Sequence, residues 1–131
     1  MLFFNKVQRG NPAKPELPDK WYAILKSIGR VSEKEVAKQI SDETTLNRKE
    51  AEMALAQFEK ILIRLLLDGH SVELGDWGTF YLTCNSEGFA TANEVTGNAI
   101  KNLNIRFTPG KELKEAIQKA TFTSAETMFK K

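Results

Sequence analysis

This chain of 131 residues contains one cysteine, Cys84, and one histidine, His70. A lone cysteine cannot close an internal disulfide, so a reducing compartment is the expected setting. Cys84 reads as a small filler or a surface thiol rather than a nucleophile. A single histidine without clustered thiols or carboxylates makes no metal site, and no partner at a suitable spacing makes it half of a catalytic pair. The sequence therefore reads as non-enzymatic, with no cofactor, metal or small-molecule ligand. No run approaches the roughly 20 apolar residues of a membrane span. The apolar part of MLFFNKVQRGNP is too short for a secretion signal, and a soluble cytoplasmic protein is expected. GDWGTF, Gly75–Phe80, is glycine-rich but lacks the Gly-x-x-x-x-Gly-Lys spacing of a phosphate loop.

Charge of one sign is missing from a long stretch. Between Leu82 and Gly97 there is no Lys or Arg, but there are Glu87 and Glu94. The overall balance is only +2, too weak to announce a nucleic-acid binder by itself. Residues 1–30 carry six Lys/Arg against two acids and residues 108–131 five against three, whereas 31–70 carry six against eight and 71–107 two against four. The basic character sits at the two ends of the chain.

Strand and helix signals are clear in places. LFFNKVQR, residues 2–9, alternates aromatic and basic residues and reads as a strand. Three of the four prolines then crowd into Asn11–Pro18, which forbids helix and implies a linker or wide turn. Lys20–Ile28 is ambiguous by period, but its aromatic and β-branched content favours a second strand, stopped by Gly29. Ser32 with Glu35 forms a capping box that opens a short helix ending near Ser41–Glu43. Asn47 with Glu50 repeats that logic and opens a long helix to about Leu67, stopped by Asp68-Gly69. Short strands follow at Ser71–Leu74 and Thr79–Thr83. Asn85–Ala92 suits an arm or loop, Ile100–Phe107 a returning strand. Thr108 and Pro109 are read as N-cap and first turn of a last helix, and the tail from Thr121 as weakly periodic and frayed.

On the long helix, Ala51, Ala54, Leu55, Phe58, Ile61, Leu62, Leu65 and Leu66 form a stripe too wide for one short helix to cover. A symmetric dimer is the commonest solution; the alternative is that the sheet alone covers it.

Four stretches, in this order, carry a resemblance: LNRKEAEMAL (Leu46–Leu55), VELGDWGTF (Val72–Phe80), NEVTG (Asn93–Gly97) and FTPGKELKEAI (Phe107–Ile117). Together they make Ser32–Lys119 resemble the bacterial histone-like HU and integration-host-factor proteins. The KVQRGNP and KWYAILKSIGRV preface resembles a longer subgroup with a strand-rich N-terminal extension. The resemblance implies an α+β fold and an intertwined dimer, with helices beneath a three-stranded antiparallel sheet that carries a β-ribbon arm. It divides the chain into an extension over 1–31, a core over 32–120 and a tail over 121–131. It implies a non-sequence-specific architectural protein that binds and condenses double-stranded DNA as a homodimer in the nucleoid.

By the same resemblance, Phe58, Leu62, Phe80 and Phe107 would form the dimer core, and Gly75 and Gly78 would shape the strand turn. Asn93, Thr96 and Gly97 would sit at the arm tip on DNA. Lys101, Arg106, Lys111 and Lys114 would contact phosphates, joined by Lys6, Arg9 and Lys14 of the extension. The arm departs from the family pattern: Glu94 stands where an intercalating proline is usual, and Gly97–Phe107 is about three residues shorter. Phe89 or Val95 would be substitute wedges. Two further readings follow: an interaction module of the same fold that has lost DNA bending, and a single-strand binder using Trp21, Tyr22 and Trp77.

Overall fold

A computed structural model describes residues 1–126. The chain is mixed α+β, with three helices and two three-stranded sheets. It divides into two units: Met1–Ser32 together with the chain from Ile117, and Glu33–Ala116.

The first unit is a sheet. β1 (Leu2–Arg9) and β2 (Lys20–Lys26) form an antiparallel hairpin, and β6 (Phe122–Ser124) pairs in parallel with the other edge of β1. The proline-rich connection folds as two successive turns, closed by Lys14 N–H donating to Asn11 O and Leu17 N–H donating to Lys14 O. The side chain of Asn11 accepts from the Ala13 N–H at 3.0 Å. The segment from Thr121, expected to fray, is instead held at its start: Leu2 N–H donates to Thr121 O at 2.8 Å, and the strand follows. Of the tail expected over 121–131, residues 127–131 lie outside the described residues.

The second unit begins with α1 (Glu33–Glu43) and α2 (Arg48–Leu67). Asn47 caps α2, its side-chain oxygen accepting from the Glu50 N–H at 2.8 Å. At the other end, His70 N–H reaches Leu65 O, Gly69 N–H reaches Leu66 O, and Gly69 takes φ +93°. This left-handed terminus satisfies carbonyls the helix would leave orphaned. β3 (Val72–Glu73), β4 (Gly78–Ser86) and β5 (Ile100–Pro109) form the antiparallel sheet β3-β4-β5. α3 (Lys111–Gln118) follows, and the division between the units falls within it.

The helix start differs from the expected one. β5 runs through Pro109, and Gly110 O accepts the Lys114 N–H, so Gly110 stands where Thr108 was expected to cap. The Thr108 hydroxyl donates to Tyr81 Oη across the sheet instead, at 3.3 Å. Strand pairing captured both residues before the helix could begin. The two glycine-bearing segments also meet: Gly110 N–H donates to Trp77 O at 2.9 Å, and a Cβ on Gly110 would collide with the Asp76 backbone.

Among the described residues the buried apolar side chains are Ala37, Ala51, Leu66, Ala99 and Ala125. Four of these five are alanines, so no large apolar core is closed within one chain. The chain exposes 11158 Å², whereas two separately folded bodies of the sizes of these units would together expose about 8,000 Å². Large apolar side chains are among those left exposed. On β5, Leu103, Ile105 and Phe107 are exposed, and on α2 Met53, Ile63 and Leu67.

Candidate nucleic-acid interface

The sheet of the second unit has two unlike faces. Cross-strand pairs Phe80–Phe107 and Leu82–Ile105 share one face; Thr79–Thr108, Tyr81–Arg106 and Thr83–Asn104 share the other. The apolar face gathers an aromatic cluster. The Phe80 and Phe107 rings lie 4.8 Å apart, and Trp77 stands edge-on to both at 6.3 and 6.5 Å. Gly78 lets these rings close, since a Cβ there would strike the Phe107 ring and Thr108 O. Phe58, Leu62 and Phe80 are half-buried and Phe107 is 37% exposed. A groove of about 590 Å³ runs along α2, lined by Leu46, Met53, Ala54 and Gln57 among others. Met53, Ala54 and Gln57 fall within one turn on one face of α2, and Leu46 precedes the helix.

The polar face offers hydroxyls and amides around a single cation, Arg106. Lys111 and Lys114 are exposed on α3 but alternate with Glu112 and Glu115. Lys101 lies farther out on the ribbon and is paired with Glu87 at 3.5 Å. A register shift between Thr83 and Asn85, with Asn102 at φ 51°, separates that end of the ribbon from its base. Such a bulge re-aims the strand beyond it.

The β-ribbon arm is shorter than expected. The ladder ends at Ser86–Ile100, and residues 87–99 form a loop closed by Glu87 N–H donating to Ala99 O. Two 3-10 turns, Ala92–Glu94 and Gly97–Ala99, shape it. Asn93 lies in the first turn, Thr96 and Gly97 at the start of the second, and all three are exposed. Glu94 accepts from the Thr91 hydroxyl at 3.2 Å, a local bond that tightens the turn. Phe89 and Val95 are exposed at this loop. Cys84 is exposed and free.

The charge separates more sharply than position along the chain suggests. Among the described residues the first unit holds seven Lys/Arg against three Asp/Glu, a net of +4; the second holds ten against fourteen, a net of −4. The β1–β6 pairing brings the N-terminal strand and the segment Phe122–Ser124 into one sheet. That pairing joins residues about 120 positions apart, and only the β-favouring content of TFTS hinted at it.

Among the described residues no helix is long and apolar enough to cross a membrane, and no group of three or more His, Cys, Asp or Glu is placed to hold a metal ion.

Comparison with known proteins places residues 2–124 in a match to the HU-HIG family, described as an HU domain fused to a wHTH, Ig or glycine-rich motif. Among solved structures, a candidate bacterial DNA-binding protein from Bacteroides vulgatus superposes with a TM-score of 0.65 at 15% sequence identity. The alignment covers 95% of this chain and 47% of that one, so this chain spans about half the length of its structural relative. No match is found among curated proteins.

Proposed function

The chain belongs to the HU-HIG family, and from that premise we propose that it is a DNA-binding protein acting as a homodimer, without sequence specificity and in an architectural, nucleoid-associated role. The observation that carries the reading is the division of charge between the units, a net of +4 among the described residues of the first against −4 in the second. A polyanion neutralised by lysines and arginines releases counterions, and that release needs no base contact. Arg106, Lys111 and Lys114 are the phosphate contacts of the second unit, joined by Lys6, Arg9 and Lys14 of the first. Asn93, Thr96 and Gly97 form the tip of the short arm.

The homodimer is supported by the exposed apolar surface. The apolar face of β5, with Leu103, Ile105 and Phe107 exposed and Phe80 packed on Phe107, is the surface a second copy would cover, joined by the half-buried Phe58 and Leu62 of α2. Obligate interfaces of this kind bury on the order of 2,000–5,000 Å² in total.

A second reading has its own observation. The arm loop contains no Lys or Arg, bears Glu94, and its neighbouring Lys101 is held by Glu87. Minor-groove kinking usually relies on cations and an apolar wedge. On this reading the fold has kept its dimer and lost DNA bending, serving as an interaction module. A titration with straight, nicked and single-stranded DNA across a range of salt separates the two. Architectural binding predicts duplex affinity that falls steeply with salt. No binding at low salt, with an intact dimer, would leave the interaction module; tighter binding to single strands would contradict both.

A further inference from the structure

The tip of the β1–β2 hairpin has a feature that strand pairing does not explain. Arg9 and Lys20 stand directly opposite each other in the ladder, on the same face. Like charges in this position destabilise a sheet. Among the described residues neither has an ion-pair partner. The nearby carboxylate of Asp19 lies over Gly10, where a Cβ would approach its Oδ1 to 2.6 Å, and it pairs with neither cation.

Both cations line a cavity of about 210 Å³ with Asn11, Leu17, Pro18 and Tyr22. Asn11 has its side-chain oxygen committed to the Ala13 N–H, so the end left to act outward is its NH2 donor. Tyr22 lies two positions from Lys20, on the same face of β2 and diagonal to Arg9. The turn that carries Leu17 and Pro18 supplies the apolar wall. The cavity is thus lined by two cations and a neutral donor together with a proline, a leucine and an aromatic ring.

From this geometry we infer that the hairpin tip is a clamp for one sugar-phosphate unit of a DNA strand. Arg9 and Lys20 take the phosphate oxygens, Asn11 donates to the same group, and Tyr22 with Pro18 packs against the deoxyribose. The inference rests on the DNA-binding reading and locates a contact within it. No element of the clamp reads a base, so binding there is indifferent to sequence. The like-charge pair is relieved when an anion sits between its members.

The test uses the full chain. Arg9→Gln with Lys20→Gln removes both charges at exposed positions and relieves their repulsion, so the fold is retained; circular dichroism checks this. Relative to the native chain, the double variant is expected to bind duplex DNA about tenfold more weakly at roughly 0.1 M salt, with the log–log salt slope shallower by about 0.9 per chain, the share of one phosphate. Tyr22→Ala should weaken binding several-fold and leave the slope unchanged, because the ring meets sugar rather than phosphate. Amide resonances of Gly10, Asn11 and Lys20 should shift on adding a short duplex. An unchanged slope in the double variant, or shifts confined to the second unit, overturns the clamp. If the native chain binds no DNA, the DNA-binding reading fails on its own account. The site then survives only as an anion pocket, provided that inorganic phosphate shifts the same amides saturably in the native chain and not in the double variant; absence of that shift removes it altogether.

Discussion

Ile105→Lys should dissociate the dimer. Ile105 lies on the apolar face of β5 and is 57% exposed in a single chain, so a lysine there keeps its ammonium in water as long as the chain is alone. In a dimer each copy of that side chain would be buried, and each substitution forfeits about 2 kcal/mol of apolar burial. Two copies make about 4 kcal/mol, which raises the dimer dissociation constant about a thousandfold. Thermal stability provides the second readout. For an obligate dimer of two 131-residue chains, the unfolding entropy is about 0.55 kcal/mol/K. Each tenfold rise in concentration adds about 1.4 kcal/mol, so Tm should climb by about 2.5 °C per decade. Sedimentation velocity and melting curves between 1 and 100 µM measure both quantities. The native protein should sediment as a dimer with a concentration-dependent Tm, and the variant as a smaller species at the same concentrations. A native chain that sediments as a monomer at 100 µM with a fixed Tm would refute the reasoning, as would a variant indistinguishable from it.

Three further outcomes follow from local geometry. Gly110→Ala puts a Cβ into the Asp76 backbone, and it should lower stability by about 2 kcal/mol or more; Gly75→Ala, in open space at φ +55°, should lose only the left-handed penalty of about 1 kcal/mol, and urea denaturation would reveal the ordering. Asn47→Ala removes the bond to the Glu50 N–H and should cost about 1 kcal/mol, visible as a lower denaturation midpoint at unchanged slope. Glu87→Gln frees Lys101 from an exposed pair; stability should change by less than about 0.5 kcal/mol, while the salt dependence of duplex binding steepens by about one phosphate contact if the ribbon end meets DNA.

Signals that act within a few residues were legible in the sequence. Asn47 with Glu50 marked the start of α2, and Asp68-Gly69 its end, because a cap and a left-handed terminus are chemistry of adjacent backbone groups. The first hairpin strand was marked by alternation, the second by aromatic and β-branched content, and their connection by prolines that no helix could hold. Thr108 was misassigned because a cap signal and a strand residue look alike in isolation; its pairing with Thr79 decided the matter. β6 was missed for a related reason: three residues carry too little pattern, and their partner lies at the far end of the chain. The arm was anticipated as a hairpin arm or loop, but its closure by Glu87 and Ala99 depends on where the ladder stops.

The acidic character of the second unit and the brevity of its arm bear on the same question. An HU-like unit of net −4 repels a duplex at long range, and its arm supplies no cation to offset this. A polyanion meets net attraction at the first unit, whose described residues carry +4, and only local contacts at Arg106, Lys111 and Lys114 of the second. Most of the attachment to phosphate then falls to the first unit, and the second contributes those local contacts, the pairing of two chains and thus the spacing between two such sheets. Doubling the cationic sites by dimerisation multiplies the counterions released by each bound complex. Variants that dissociate the dimer and variants that neutralise the hairpin tip should therefore both flatten the salt dependence, the first by halving the number of sheets on one duplex and the second by weakening each. Only the first should also change the sedimenting mass, and that difference separates pairing from contact in a protein where both are needed to hold DNA.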